Sequence, residues 1–227
     1  MFGTTPMVFK LADNTNAQSP AARYRRERIR RFAQLLRTAK AEVRILDVGG
    51  TPKFWLKHRD ELPATVSLTL LNLDFAEQPA QPWMRCVTGD VRQMRMFETN
   101  EFDMCFSNSL IEHLGTIAEQ SLAANEIRRV AKGYFVQTPN LWFPIEPHFL
   151  VPGWQFAPLA LRAYLIRRYD LGWIKRQRDP LLARAEVESV RLLSARELAL
   201  LFPDGRIDHE KVGPLTKSII AWRPMAT

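Results

Sequence analysis

The sequence predicts an α/β domain: a mostly parallel sheet with helices on both faces. Three observations predict it. Short apolar runs recur at residues 43–48, 67–73, 85–88, 102–107 and 133–137. Helical patterns separate several of them, and that alternation belongs to parallel sheets. Polar groups end four successive runs: Asp47, Asp74, Asp90 and then Ser107-Asn108-Ser109. In an open α/β sheet the carboxyl ends of the strands form the binding crevice, so these groups share one rim. A single strand-end Asp is more often a turn residue than a ligand contact. Three in succession beside a Gly-Gly turn are far harder to place by accident.

A chain of 227 residues suits one good-sized domain with a real core. Hydrophobic content of 46% and charged content of 25% are ordinary for a soluble globular protein. The net charge of +8 favours anionic partners without choosing among nucleic acid, lipid surface and phosphorylated small molecule. Cys86 and Cys105 lie in apolar runs and read as buried thiols; their number and spacing make no disulfide framework or metal motif. No metal is expected. No apolar leader or membrane-length run is visible, so a cytoplasmic location is expected.

In order, residues 1–20 read as a flexible arm, and the domain as 21–227. Residues 24–40 read as a helix, with Ile29, Phe32, Ala33 and Leu36 on its apolar face. Its arginines, Arg28 among them, read as a solvated basic face, because no aromatics interleave with them as nucleic-acid stacking would require. The first strand follows and runs into Asp47-Val48-Gly49-Gly50-Thr51. Pro52 then opens a helix, with Phe54 and Trp55 turned to the sheet. A further helix spans 117–130. After the fifth strand the chain becomes irregular over about 139–160, a stretch rich in proline and aromatics, and such a long loop is usually functional. A helix resumes near Pro158 through Arg168. Ser194 and Glu197 form a capping box for a short helix through Leu201. Two strands, 206–212 and 216–222, end the chain.

The run Ile45-Leu46-Asp47-Val48-Gly49-Gly50 resembles the first motif of the class I S-adenosylmethionine-dependent methyltransferases. Asp74 matches that family's acidic residue for the ribose hydroxyls, where two acceptor oxygens suit a vicinal diol. Gly89-Asp90-Val91 is similar to its adenine-side motif. The stretch from Phe102 to His113 resembles its fourth-strand motif, and 133–140 its fifth strand. The family's usual turn is Asp-x-Gly-x-Gly, and Thr51 stands here in place of the second glycine. The resemblance implies a single Rossmann-like domain, seven strands with an antiparallel last strand, and S-adenosyl-L-methionine as cofactor. It implies cofactor contacts at Asp47, Gly49, Gly50, Asp74, Asp90, Val91, Ser107 and Asn108.

Methyl transfer is an in-line displacement that asks mostly for orientation and exclusion of water. A hydroxyl acceptor also needs a base. His148, with Glu146 two residues away in the irregular loop, is the first candidate, and His113 at the crevice rim the second. Trp142, Phe143, Glu146 and His148 are the expected acceptor contacts. His58 and His209 read as surface residues. The reading is a methyltransferase acting on a small-molecule, lipid or saccharide acceptor at oxygen. The alternatives are an RNA methyltransferase or a non-catalytic partner subunit on the same fold. Nucleic acid is disfavoured, because no amino-methylase tetrapeptide follows the fourth strand. A nicotinamide dehydrogenase is disfavoured by the missing G-x-G-x-x-G spacing. The aromatic loop and the cations after it also make peripheral contact with an anionic membrane a secondary expectation.

Overall fold

The computed structural model describes residues 18–37, 42–75, 79 and 81–225. Its core is a seven-stranded sheet: β1 (Val43–Val48), β2 (Val66–Asn72), β3 (Met84–Thr88), β4 (Phe102–Asn108), β5 (Ala131–Pro139), β6 (Arg206–Val212) and β7 (Leu215–Arg223). The strand order is β3-β2-β1-β4-β5-β7-β6. The first five strands are parallel, and β7 runs antiparallel between β5 and β6. Parallel strands buried on both faces need near-continuous apolar sequence. Ile45, Leu46, Met104, Cys105, Phe106, Phe135 and Val136 supply it. Both cysteines are buried, in keeping with the apolar runs that hold them.

Two helical layers cover the sheet. Helix α1 (Pro20–Leu36) and the short α2 (Pro52–Lys57) put Phe32, Leu36 and Trp55 on one face. Helices α3 (Ile117–Val130) and α6 (Ala195–Leu201) put Ala124, Ile127, Leu198 and Leu201 on the other. Between β5 and α6 the chain makes an excursion that builds a cap from α4 (Leu159–Arg168) and α5 (Pro180–Glu188). Asn140 and Leu193 pair at its base, so it leaves and returns at neighbouring points. The cap has its own core of Phe149, Trp154, Ile166, Ala183 and Val187.

The strands and α3 lie close to their expected positions, and the capping boxes of α3 and α6 both form. Helix α1 departs from expectation. It starts at Pro20, four residues early, because the Ser19 hydroxyl accepts from the Ala22 N–H and Pro20 fills the first helical position. It ends at Leu36, and residues 38–40 lie outside the described residues, as do most of residues 1–20. Helix α5 was not expected, although Asp179-Pro180 is a cap followed by a first-position proline. His58 is buried against Phe54 rather than on the surface, while His209 is exposed.

The larger correction concerns the basic helix. Arg28 is buried, and its guanidinium grips Glu210 of β6 with Nε at 2.9 Å and Nη2 at 2.6 Å. Its Nη1 donates to the side chains of Asn108 and Gln137, the latter at 2.7 Å. Arg31 pairs with Asp208, and Arg30 with Glu61. A helix-face pattern cannot distinguish a solvated arginine from one buried with a distant partner. Replacing Arg28 with Ala leaves the buried Glu210 carboxylate unpaired. The expected loss is about 3–5 kcal/mol of unfolding free energy, read by urea denaturation. A loss below about 1 kcal/mol would mean the pair behaves as a surface ion pair.

Candidate active site

The parallel strands deliver their carboxyl ends to one rim, and a crevice of about 180 Å³ opens there. Its floor is Gly49 after β1, Leu71 and Asn72 at the end of β2, and Gly89-Asp90-Val91 after β3. Leu110, His113, Leu114 and Glu119 close the side beyond β4. Gly49 takes φ +85, and a Cβ on it would lie 2.9 Å from Leu110. Glycine is required there on both counts.

Gly50 has a different reason. A Cβ on it would lie 1.7 Å from the Asp47 carboxylate. Asp47 does not face the crevice. It is buried beneath the turn, where its Oδ2 accepts from the Trp55 indole N–H. Asp47 and Gly50 build the turn, and neither lines the crevice. Thr51 caps α2, accepting from the Phe54 N–H at φ −126, where no glycine is needed. Its place in the motif is therefore explained by the helix it starts.

The other expected contacts divide. Gly49, Asp90 and Val91 line the crevice. Both Asp90 oxygens are held by Arg92, whose guanidinium also reaches Glu119. These hydrogen bonds hold the Asp90 carboxyl below the usual range. Asp74 lies two residues beyond β2, exposed and outside the crevice lining, whereas Asn72 at the strand end lines it. Ser107 is buried with an unpartnered hydroxyl, and Asn108 is taken up by Arg28. Neither lines the crevice.

The two histidines do come together. The β4 end turns through Ser109, at φ +55, into a 3-10 turn over Ile111–His113. The His113 and His148 rings meet edge to face with centroids 4.8 Å apart. His148 is fixed from three sides. Its Nδ1 lies 2.6 Å from Glu146 Oε1, its backbone N–H donates to Glu146 Oε2, and its carbonyl accepts from the Trp173 N–H. A Cβ on Gly172 would lie 2.5 Å from that carbonyl oxygen, so glycine is what lets the two loops meet. Burial draws His148 down, but the Glu146 hydrogen bond and charge outweigh it and raise its imidazole above the ordinary value. His113 is drawn down to about 4 by the protein around it and by His148. Glu112 is fully buried, and burial pushes its carboxyl up.

Among the expected acceptor residues, Glu146 and His148 belong to this cluster. Trp142 stacks on Phe156 at 5.5 Å on the exposed surface of the cap, and Phe143 is half-buried. Neither lines the crevice. Arg92, Glu119 and Asn72 were not anticipated. Arg92 adjoins Asp90 in sequence, but its bridge to Glu119 spans 27 residues.

The buried Asp47 has a consequence for stability. Burial pushes its carboxyl from 3.8 up to about 7, against the pull of Trp55. Between pH 4 and 7 the folded chain then holds a proton that the unfolded chain has released. Stability from this group is full below pH 4 and falls as pH rises through 7, by about 4 kcal/mol at most. Thermal melts from pH 5 to 8 should show this decline, and Asp47→Asn should flatten it. An equal slope in the variant would exclude Asp47 as its source.

Residues 46–136 match the family model for a methyltransferase domain. No curated protein matches the chain in sequence. Among solved structures, a SAM-dependent methyltransferase from Methanosarcina mazei is similar, with 12% identity, TM-score 0.52, and coverage of 85% of this chain and 98% of that one. A chain from the complex of the Haloferax volcanii Trm112 methyltransferase activator with a protein assigned as a methyltransferase matches with 12% identity and TM-score 0.54, covering 97% and 98%. A protein from Rhodobacter sphaeroides assigned to the Zn-dependent alcohol dehydrogenases also aligns, with 13% identity and TM-score 0.53, covering 83% and 86%. At such identities these likenesses speak for the fold alone. Residues 46–136 thus carry a methyltransferase-domain match, set in a Rossmann-like sheet whose strand ends open onto the crevice.

Proposed function

We propose that the chain transfers a methyl group from S-adenosyl-L-methionine to a hydroxyl of a small-molecule, lipid or saccharide acceptor. The observation that carries this reading is the shared border of two features. The glycine-floored crevice meets the Glu112, His113, Glu146 and His148 cluster at His113, which belongs to both. The floor fits the cofactor. Gly49 and Gly89 line it without side chains of their own, and Asp90 offers carboxylate oxygens beside them. At about 180 Å³ the crevice is smaller than the roughly 300 Å³ of a complete ligand pocket. An occupant of cofactor size would extend past Leu73 to the exposed Asp74.

When bound, the cofactor supplies an activated methyl group on a sulfonium. The chain's own part is to place the acceptor and to take its proton. His148, held through Nδ1 by Glu146, presents Nε2 to the neighbouring space. His148 is flanked in sequence by Phe149 of the cap's core, which ties its loop to the cap. Three cations of the basic helix, Arg28, Arg30 and Arg31, pair with acidic residues of the fold, which weakens the case for nucleic acid as acceptor.

Calorimetric titration with S-adenosylhomocysteine tests the cofactor half. Binding is expected, with Asp74→Ala and Asp90→Ala each weakening it at least tenfold. No binding, or equal binding in both variants, would end the reading. Binding without turnover on any hydroxyl acceptor would instead favour the non-catalytic alternative.

The cap also exposes Trp142, Tyr169, Leu181 and Leu182 near Arg167, Arg168, Lys175 and Arg176, and no described helix is long and apolar enough to cross a membrane. Apolar groups with cations beside them suit the surface of an anionic bilayer. Co-sedimentation with vesicles rich in phosphatidylglycerol, and not with phosphatidylcholine alone, is the expected result. Equal recovery with both would remove the membrane from the proposal.

A further inference from the structure

We propose that Glu112, His113 and His148 form a binding site for a divalent transition-metal ion, zinc by its donor set, on the inner rim of the crevice. One carboxylate oxygen and one nitrogen from each imidazole lie within 4.8 Å of one another. A tetrahedral zinc with bonds of about 2.0–2.1 Å needs its ligand atoms roughly 3.3 Å apart, so the three must draw closer by up to about 1.5 Å. His113 is exposed toward the crevice and can turn to do so. Glu112 and His148 are already fixed.

Two further observations point to a ligand. Glu112 is fully buried, and its Oε2 accepts from the Thr138 hydroxyl at 2.9 Å. Its Oε1 is buried and has no hydrogen-bond partner, while the Ser109 hydroxyl nearby in the turn donates to Gln137 instead. A buried acceptor left without a donor is costly, and a cation beside it removes that cost. The second observation is the Glu146 contact. With Nδ1 of His148 held by Glu146 Oε1, the ring offers Nε2 outward. A carboxylate that holds the far nitrogen of a histidine is the usual outer support of a metal-bound imidazole. Glu146 is itself held in place, its Oε2 accepting the backbone N–H groups of His148 and Phe149 at 2.8 Å each.

The donor set selects the ion class. Two imidazoles and one carboxylate suit zinc and its first-row neighbours, whereas magnesium and calcium prefer all-oxygen surroundings. Three protein ligands leave a fourth position, which opens to the crevice beside His113. An oxygen ligand fits there: water, or, if the methyl-transfer reading holds, the acceptor's hydroxyl, whose proton the metal would make labile in place of the His148 base, since Nε2 would then be on the metal.

The test is titration of the whole chain with zinc chloride, without cofactor or acceptor. Saturable binding of one zinc per chain is expected, and magnesium at the same concentrations should not compete. Glu112→Gln and His148→Asn should each weaken zinc at least tenfold, with circular dichroism confirming the fold. Glu146→Gln, a positioning change, should weaken it by about tenfold to a hundredfold. His209→Ala, on the exposed β6, should leave it unchanged. If a ligand variant fails to fold, cobalt(II) added to the unaltered chain replaces it: intense visible bands of a four-coordinate site support the proposal, and weak octahedral bands overturn it. Absence of saturable zinc binding, or unchanged affinity in Glu112→Gln and His148→Asn, would also overturn it. Titrating the metal-free chain with S-adenosylhomocysteine keeps this result separate from the cofactor reading, since either ligand can bind when the other does not.

Discussion

One guanidinium holds the molecule's separate parts in register. Arg28 reaches from the first helix into the sheet and joins Glu210 on β6 to Asn108 and Gln137 at the ends of β4 and β5. Its charge is out of water, so it is stable there only with its acceptors in place. The Glu210 carboxyl loses hydration on burial, yet Arg28 holds it below the ordinary range. Gln137 accepts from both Arg28 and the Ser109 hydroxyl, so the same network sets the turn after β4. That turn leads directly to Glu112 and His113. The position of the site thus depends on an ion pair formed on the far side of β4.

A second constraint shapes the crevice floor. The turn after β1 packs a carboxylate against a backbone that has no room for a Cβ. Asp47 anchors Trp55, Trp55 packs on Phe106, and α2 is held against the sheet. Gly49 then presents bare backbone to the crevice. The turn carries an ionisable group in a place that disfavours its charge, which couples the floor's rigidity to pH.

The cap adds what the sheet lacks. Its base closes where Leu141 donates to Leu193, and the 3-10 turn carrying Glu112 is tied to the same base through Arg191 and Gln120. Gly172 and the left-handed Leu150 let two cap loops cross at His148. Phe149 and Trp154, two aromatics of the irregular stretch, stack at 4.4 Å in the cap's own core. That core is what holds His148 over the rim.

Much of the fold was legible in the residues. Apolar β-branched runs, strand-end aspartates, capping boxes and the Gly-Gly turn act over a few residues, so periodicity and turn chemistry reveal them. They placed the strands, α3, α6 and the crevice with Gly49, Asp90 and Val91. They did not reveal that Arg28 is buried, that Asp47 points down, or that Arg92 bridges Asp90 and Glu119. Nor did they show that Glu112 and His113 meet His148. These features join residues 8 to 182 positions apart. Their chemistry depends on burial and on which partner the fold supplies, and no local pattern carries that information. The sequence by itself determined the strands of the sheet and the edge where their polar ends meet, because the apolar period and turn residues that mark each strand are local in the chain. Only the tertiary structure decided which side chains face that edge, because packing sets their orientation and their partners.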